Sequence, residues 1–400
     1  MKVKVLLRQI IPYMTRLKLK NYYYLSMEYL GFDNDIINYY KSVGLARANE
    51  LTYEKLKHEV LSYIDSLKIS DYEYKFSYSS NKPTLYSSVY ACMILGLFNQ
   101  LNDEGFNKKW VEYFNAFQSD KDGFYRDYNA YNSSYEEGVG WGASHLLGHL
   151  IIALIRLKGK PKYKFKFLER FYDEDFLKNW LNSLDWTKAW SASNAIMNYG
   201  TILQYSRDYL EDVRAAKSVS FIIDWLNTNV NPQTGLWHSY KLNSYEKIAD
   251  ATRAAYHIYT LYNYDDIEIP YLDNAIEFFL KTQNKYGGFN KHIRSGACED
   301  IDAIEPIARY AKSNNAVDSF KDILNKALIW VMANQNDDGG FVFARKNSFC
   351  FGAQSELYSK PNESNIFATW FRTLSILYIL SALGDEQVKM LKAPGYEIKL

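Results

Sequence analysis

The chain has 400 residues, of which 48% are hydrophobic and 17% aromatic, enough to bury one large core or two ordinary ones. Lysine and arginine (47) balance aspartate and glutamate (46), so the net charge of +1 creates no global field that would recruit nucleic acid. The three cysteines, Cys92, Cys298 and Cys350, are odd in number and far apart, which argues against a disulfide framework and favours a cytoplasmic protein.

Residues 1–75 are a predicted N-terminal helical extension. Its first twenty positions contain six basic side chains and no acid, but Arg8, Pro12 and Arg16 interrupt the apolar runs, which excludes a signal peptide. No later run reaches the ~18 apolar residues that a membrane-spanning helix needs. The basic segment is compatible with a solvated helix packed on the main body, or with peripheral contact to an anionic membrane surface.

Two kinds of predicted helix alternate from residue 76 to residue 400. One kind is apolar almost all round, as expected for helices buried on both sides. Six such segments occur, at residues 84–98, 139–157, 190–205, 250–264, 299–311 and 365–383. The other kind has a polar face and ends in a polar turn followed by Gly and an aromatic residue, at 110–125, 223–237, 276–289 and 328–341.

The turns that end the second kind of helix recur at a regular spacing. Gly235, Gly287 and Gly339 lie 52 residues apart, and Gly123 precedes them at a distance that leaves room for a degenerate copy around Trp180. Glycine suits a turn position with positive φ, and the aromatic residue after it packs the turn onto neighbouring helices. The pattern predicts an all-α fold: an (α/α)6 toroid of six inner and about six outer helices over 76–400.

The turn pattern also resembles a known repeat. Gln, three residues, Gly, one residue and an aromatic occur at 283–289 and at 335–341, and this resembles the QW repeat of terpenoid cyclases of the squalene and hopene type. Protein prenyltransferase β subunits share the toroid of that family. The resemblance implies a central cavity for an isoprenoid or lipid-linked substrate. Toroids of this shape also carry many glycan-processing enzymes, and the turn NPQTGLW at 231–237 resembles turns in those enzymes.

An acidic cluster lies at the start of the fifth apolar segment. The stretch 296–306 reads GACEDIDAIEP and contains Glu299, Asp300 and Asp302. Asp302 and Glu305 have the spacing of a capping box, which predicts Asp302 as a helix N-cap and leaves Glu299 and Asp300 without a structural explanation. We therefore expect Glu299 and Asp300 to be the better candidates for catalysis.

The same cluster resembles the Asp-x-Asp-Asp motif with which terpenoid cyclases protonate an alkene or epoxide. The corresponding residues are Asp300, Ile301, Asp302 and Ala303, so the last acid is absent and Glu299 would replace it. The resemblance implies Asp300 as the proton donor, assisted by Glu299 and Asp302. Such a motif needs one carboxyl group that its neighbours keep protonated.

Polar and aromatic residues near the leading ends of the inner helices form the predicted substrate-binding set, because in a ring these ends gather at one mouth of the cavity. They are Tyr86, Tyr90, Trp141, His145, Trp190, Asn194, Asp250, Arg253, His257, Asn365, Trp370 and Arg372. His145 and His149 are one helical turn apart, but no Glu lies between them at the position that zincin motifs require. We predict no metal site and no cofactor.

Three functions are compatible with these residues, each with a small molecule, lipid-linked compound, oligosaccharide or peptide as partner. The first is acid-assisted chemistry on an isoprenoid or lipid-linked substrate. The second is a cytoplasmic carbohydrate-active enzyme (hydrolase, lyase or epimerase) of cell-surface glycan biosynthesis. A hydrolase would pair an acid of the 299–302 cluster with Asp250 or Glu137 across the scissile bond. The third is a non-catalytic toroid that binds a peptide or sugar.

The shape of the cavity separates the first two functions. A deep, closed cavity lined by Phe, Tyr and Trp, with few polar groups below the acids, favours the isoprenoid substrate. An open groove crossed by Trp141, Trp190 and Arg372 favours glycans. A lyase or epimerase would use His257 or Tyr256 as base, with Arg253 neutralising a uronate.

Overall fold

The computed structural model describes residues 11–130 and 141–397, without the side chains of Tyr128, Trp141 and Ala353. Fifteen α-helices lie in these ranges. They are α1 (Tyr13–Tyr29), α2 (Asn34–Tyr39), α3 (Leu45–Asn49), α4 (Tyr53–Ser66), α5 (Leu85–Leu97), α6 (Glu104–Asn115), α7 (Trp141–Arg156), α8 (Glu174–Ser183), α9 (Ala189–Tyr209), α10 (Val213–Asn229), α11 (Tyr245–Tyr264), α12 (Leu272–Leu280), α13 (Ala297–Ser313), α14 (Val317–Met332) and α15 (Ile366–Ala382).

Strand structure is minimal in the same ranges. Strand β1 (Phe349–Cys350) pairs antiparallel with β2 (Tyr358–Ser359) in a two-stranded sheet. Short segments of other helix types cover Tyr40–Gly44 (π) and Tyr128–Ala130, Lys166–Tyr172, Trp186–Lys188 and Phe351–Ala353 (3-10). The predicted all-α class is confirmed.

Six helices form a closed inner ring. In the order α5, α7, α9, α11, α13 and α15, each helix contacts the next, and α15 contacts α5. These helices coincide with the six segments that are apolar all round. In α15, every residue except Leu380 is buried, because one side of the helix packs on its ring neighbours and the other on outer helices.

The remaining long helices lie outside this ring. Helices α10, α12 and α14 each pack on one or two inner helices and keep an exposed polar face. Helix α4 contacts both α15 and α5, and so lies where the ring closes. With α6 and α8, which alternate with the inner helices in sequence, the outer helices number six, and the predicted (α/α)6 arrangement is confirmed. The division of the chain at residue 75 stays a prediction, and α4 lies on its N-terminal side.

The recurring turns at Gly287 and Gly339 each follow one outer helix in the chain and pack against a neighbouring outer helix. Gly287 and Gly339 have φ of +100° and +85°, and a Cβ at either position would lie 2.1 Å from a backbone carbonyl oxygen, of Lys326 and Glu59 respectively. The glutamine of the second turn, Gln335, donates from Nε2 to Gly339 O (3.2 Å) and to Glu59 Oε2 (3.0 Å). Glycine and glutamine therefore let the turn at 335–341 dock directly on α4.

One end of the ring, which we call the mouth, lies where the inner helices begin. All six begin at the same end because an outer helix returns the chain between consecutive inner ones. Helix α1 crosses the mouth: Tyr13 Oη donates to Asp250 Oδ1 (2.8 Å), and Asn21 Nδ2 donates to Glu246 Oε1 (3.0 Å), both near the start of α11. No helix in the described ranges has the length and apolarity needed to cross a bilayer.

The opposite end of the ring is covered by the C-terminal segment, residues 391–397. Glu397 is fully buried and forms an ion pair with Arg156, the last residue of α7. Tyr396 is 4% exposed and packs inside the ring against His149. The central space is therefore covered at both ends by segments that do not belong to the ring.

Candidate functional site

A cavity of about 460 Å³ lies inside the ring. Its walls come from α7, α9, α11, α13 and α15, with contributions from the 3-10 turn at 351–353 and from the C-terminal segment. The lining residues are Ser144, His145, Trp190, Ser191, Asn194, Ala195, Tyr199, His257, Cys298, Asp302, Phe351, Phe367, Phe371 and Tyr396. The size is that of a small-molecule site, and six of the fourteen residues are Phe, Tyr or Trp.

Asp302 is the acid that lines this cavity. It lies on the second turn of α13, is 2% exposed, and its Oδ2 has no hydrogen-bond partner among the described residues. Burial raises the pKa of this carboxyl group well above its usual range, and the nearby charges of Glu299 and Glu305 raise it further against the opposing effect of Arg253. Burial therefore favours the protonated form of the Asp302 carboxyl group.

Glu299 has the capping role that the sequence assigned to Asp302. Helix α13 begins at Ala297 rather than at Ala303, so Gly296 is the N-cap and Glu299, at the third helical position, accepts from Gly296 N (2.7 Å). Burial alone would raise its pKa, but Arg253, Lys20 and the Gly296 N–H bring the pKa of Glu299 to about 2. Glu299 is thus an ionised helix cap, and this corrects the predicted N-cap.

Arg253 is a binding candidate that the structure places behind the cavity wall. Its guanidinium lies 3.5 Å from Glu299 Oε1 and 5.0 Å from the centre of the Trp190 ring. The cation is therefore engaged with a carboxylate and an aromatic face, and Trp190 stands between it and the cavity. Arg253 does not line the cavity.

Asp300, the predicted proton donor, points away from the cavity and has no exposed surface. Its Oδ1 accepts from Phe289 N (2.8 Å) and Ser295 Oγ (2.6 Å), and its Oδ2 accepts from Trp330 Nε1 and Arg372 Nη1, both at 2.9 Å. Four donors leave no lone pair for a substrate. This geometry assigns Asp300 a structural role and does not support its predicted role as proton donor.

Arg372, a predicted binding residue, is the fully buried partner of Asp300. Besides the ion pair at 2.9 Å, it donates to the carbonyl oxygens of Val342 (2.9 Å), Phe343 (2.8 Å) and Ser295 (3.2 Å). The side chain therefore ties two loops to α15. It does not line the mouth, in contrast to the prediction.

Asp250 is likewise a structural residue. Its carboxylate accepts from Tyr13 Oη (2.8 Å), Tyr240 Oη (2.6 Å) and Ala189 N (2.9 Å), which is the first amide of α9. Burial raises its pKa, and these three donors oppose that effect. Asp250 anchors α1 over the mouth and does not line the cavity.

Two histidines from the predicted set do line the cavity. His257 Nδ1 lies 3.1 Å from Ser193 Oγ, and burial lowers the pKa of His257 to about 3. His145 lies 3.4 Å from Tyr86 Oη, and burial together with His149 holds the pKa of His145 well below its usual range. Both imidazoles are therefore neutral at neutral pH. Trp190 and Asn194, also predicted, complete this wall.

The other predicted binding residues pack around the cavity without lining it. Tyr86 and Tyr90 are fully buried, and Tyr86 Oη donates to Gly142 O (3.0 Å). Asn365 caps α15 by accepting from Ala368 N (2.8 Å), and Trp370 is fully buried. The Trp141 side chain and Glu137 lie outside the described residues.

The described helices form a closed double ring around a cavity lined by both aromatic and polar side chains. The chain is an α/α toroid. Solved structures of similar fold include a polysaccharide lyase, with 9% sequence identity, coverage of 83% of this chain and 97% of the lyase, and a TM-score of 0.50. At this identity the likeness establishes the fold and no activity.

Two further similar structures have lower scores. They are a glycosyl hydrolase of family 88 from Bacteroides vulgatus (10% identity, 83% and 99% coverage, TM-score 0.45) and a type II terpene cyclase from Scytonema (11% identity, 84% and 98% coverage, TM-score 0.40). No protein-family model matches the toroid, and no curated protein matches its sequence.

Several residues that line the cavity were not predicted from the sequence. Phe367 and Phe371 lie on the same helix as Trp370 and Arg372, but only the two phenylalanines line the cavity. The spacing of four residues between the two phenylalanines was a usable signal. Tyr396 had no signal, because it lies outside the repeats.

Metal binding has no support in the described part of the toroid. Residues 11–130 and 141–397 contain no group of three or more His, Cys, Asp or Glu side chains arranged to hold an ion. His149 Nδ1 is engaged at 2.9 Å with His145 O. The predictions of no metal and no cofactor stay predictions.

Proposed function

We propose that the toroid catalyses an acid-initiated isomerisation or cyclisation of an apolar, unsaturated substrate of the isoprenoid class, with Asp302 as the proton donor. One observation carries this proposal: a buried carboxyl group, with a raised pKa and an unpartnered oxygen, lies on the wall of a partly open cavity rich in aromatic side chains. An acid catalyst needs an available O–H, and a hydrocarbon substrate needs a dry, apolar surrounding.

The reaction begins with transfer of the Asp302 proton to one carbon of a C=C bond. A C–H bond forms, Asp302 becomes a carboxylate, and the neighbouring carbon becomes a cation. The ring faces of Trp190, Phe367 and Phe371 line the same space and stabilise such a cation. A second C=C bond of the substrate can attack the cation and close a ring.

The reaction ends when an adjacent carbon loses a proton and a new C=C bond forms. The Asp302 carboxylate takes this proton directly, or the neutral imidazole of His257 takes it and the proton then returns to Asp302. The product is an isomer of the substrate, so atoms and electrons balance without a further reactant. His257 is suited to brief proton transfer because its low pKa keeps it neutral between turnovers.

A glycan substrate is supported less by this geometry. Hydrolysis would need two available carboxyl groups on either side of the scissile bond. Among the acids that the structure describes, Asp302 is available, whereas Glu299 and Asp250 are bonded to backbone and side-chain donors. The experiment below therefore includes oligosaccharides, and their turnover is the alternative outcome.

The proposal includes a cytoplasmic location with peripheral contact between α1 and a membrane. Leu19, Tyr22 and Tyr23 on α1 are more than half exposed, near the mouth through which a lipid would enter. Exposed aromatic and basic side chains suit contact with a membrane surface. Cytoplasmic location and peripheral membrane contact stay predictions.

The test is to incubate the purified protein with prenyl diphosphates, prenyl alcohols, squalene, and uronate and hexosamine oligosaccharides. We expect a product of the same mass as an isoprenoid substrate, separated by gas chromatography, and one deuterium in the product made in D₂O. Asp302→Asn should abolish the product. Asp318→Asn, which changes an exposed acid on α14, is the matched control and should leave turnover unchanged.

Two results would contradict the proposal. One is an isoprenoid product that Asp302→Asn forms at the wild-type rate. The other is turnover of an oligosaccharide with none of the isoprenoids, which would establish the carbohydrate-active alternative instead.

A further inference from the structure

The floor of the cavity is formed by one side chain from outside the ring. The phenol ring of Tyr396 stacks on His149 with centroids 4.2 Å apart and planes at 21°, and it meets Phe371 edge-on at 5.5 Å. It also lines the cavity beside Asn194. A ligand that enters at the mouth and extends along the ring axis would end against this ring.

Buried polar contacts hold the floor in place. Glu397 pairs with Arg156, its Oε1 also accepts from Leu391 N (3.1 Å), and its O accepts from Ala393 N (3.2 Å). Glu397 is fully buried, and losing one partner of a buried ion pair is costly. The C-terminal segment is therefore held at the end of α7, and Tyr396 has a defined position.

The phenol ring of Tyr396 packs on two buried side chains, His149 and Phe371. His149 lies behind the phenol ring, is fully buried, and its Nε2 has no hydrogen-bond partner among the described residues. Burial lowers the pKa of His149 to about 3, so the imidazole is neutral and compatible with apolar neighbours. Removing the phenol ring would lengthen the cavity by the volume of that ring.

We propose that Tyr396 determines the maximum length of the ligand chain that the cavity accepts. The inference deepens the proposed function and rests on its premise that an apolar ligand occupies the cavity. It assigns a specificity role to the C-terminal segment. The physical basis is that a closely packed interior does not yield to an additional methylene group.

The test measures binding of linear alcohols from octanol to hexadecanol by displacement of anilinonaphthalene sulfonate. Each added methylene should strengthen binding about fourfold until the chain meets the floor, after which affinity should stop rising. Tyr396→Ala should move this cut-off to longer alcohols, and Tyr396→Trp should move it to shorter ones. Tyr396→Phe keeps the ring and should keep the wild-type cut-off.

The outcomes distinguish the two proposals. If wild type and all three variants share one cut-off, the role of Tyr396 is overturned while the proposed function stands. If no alcohol displaces the probe from the wild-type protein, the proposed function is overturned and the floor inference with it. If Tyr396→Ala does not fold, the shortened cut-off of Tyr396→Trp still decides the question, since that variant fills the floor.

Discussion

Four carboxyl groups within two turns of α13 have four different surroundings. Glu299 caps the helix, Asp300 neutralises Arg372, Asp302 lines the cavity, and Glu305 pairs with Arg309 at 2.9 Å. Side chains on a helix point in directions 100° apart, so neighbouring acids meet different environments. The assignment of a catalytic acid therefore depends on the direction in which each side chain points, and not on the number of acids in the segment.

The raised pKa of Asp302 leads to a stability prediction for Asp302→Asn. The folded-state pKa of Asp302 is raised, so its protonated form is favoured by folding, and this contribution is lost as the pH rises above the unfolded pKa of about 3.9. We expect the variant to be more stable than the wild type at neutral pH. The difference in free energy of unfolding between the variant and the wild type should widen with pH by up to about 1.4 kcal/mol per pH unit, until the pKa of Asp302 in the folded protein is reached.

Urea unfolding of both proteins from pH 4 to pH 8 measures this gap. Asp318→Asn is again the control, because that acid is exposed and should add no such pH dependence. A gap that narrows as the pH rises would show that Asp302 is ionised in the folded protein.

The structural role of Asp300 predicts that Asp300→Asn lowers the free energy of unfolding, in contrast to Asp302→Asn. The amide would leave Arg372 buried without its counter-ion, and breaking a buried ion pair in this way costs about 3–5 kcal/mol. The free energy of unfolding, measured in urea at pH 7, should fall by that amount. A change within about 0.5 kcal/mol, as expected for a surface substitution, would contradict the structural role.

At the scale of the elements, the glycine turns decide how the outer helices approach each other. The turn at 335–341 lies directly on α4, with Gly339 facing the Glu59 carbonyl oxygen and Gln335 bonded to the Glu59 carboxylate. The same geometry recurs at Gly287, which faces Lys326 on α14. The repeat is thus a docking unit between consecutive outer helices, and its glycine is required by contact as well as by φ.

Gly339→Ala separates these two requirements when it is compared with Gly384→Ala. Both glycines have positive φ (+85° and +96°), but a Cβ at Gly384 meets nothing within 4 Å. Gly384→Ala should cost about 1–2 kcal/mol from backbone strain alone. Gly339→Ala should cost at least about 1 kcal/mol more, because its Cβ collides with Glu59 O.

Thermal and urea unfolding of the two variants measure the difference. If both substitutions lower the free energy of unfolding equally, then the contact with α4 yields without cost and the docking role of this turn is refuted.

At the scale of the whole molecule, ring closure and the two end segments shape the central cavity. Each inner helix has two ring neighbours, so no inner helix is an edge. The mouth is covered by α1, most of whose residues are partly or fully exposed, whereas residues 393–397 at the other end are buried. The two coverings therefore differ in how easily water reaches them.

Hydrogen exchange should report this difference. We expect the amides of all six inner helices to exchange with one common free energy, because opening one helix exposes the faces of its two neighbours. Helix α1 should exchange with a lower free energy, since most of its residues are partly or fully exposed. Native-state exchange followed by mass spectrometry measures both. An inner helix that exchanges independently of the others would contradict a cooperative ring.

The amino-acid sequence by itself determined the architecture. Six apolar segments alternate with polar-faced helices that end in Gly and an aromatic residue, and burial on two sides requires the first pattern while a solvated outer face requires the second. These are local, periodic properties, so they are readable without coordinates. A central cavity with aromatic side chains also follows from them, because inner helices that are rich in Tyr, Phe and Trp surround it.

The tertiary structure alone decided which side chains face the cavity. A shift of the α13 start from the predicted Ala303 to Ala297 exchanged the roles of Glu299 and Asp302, because the first residue of a helix determines which acid caps it and which points inward. Asp300 and Arg372 became a buried pair through a contact between residues 72 positions apart. Tyr396 reached the cavity floor through the pairing of Glu397 with Arg156, and long-range contacts of this kind leave no periodic trace in a sequence.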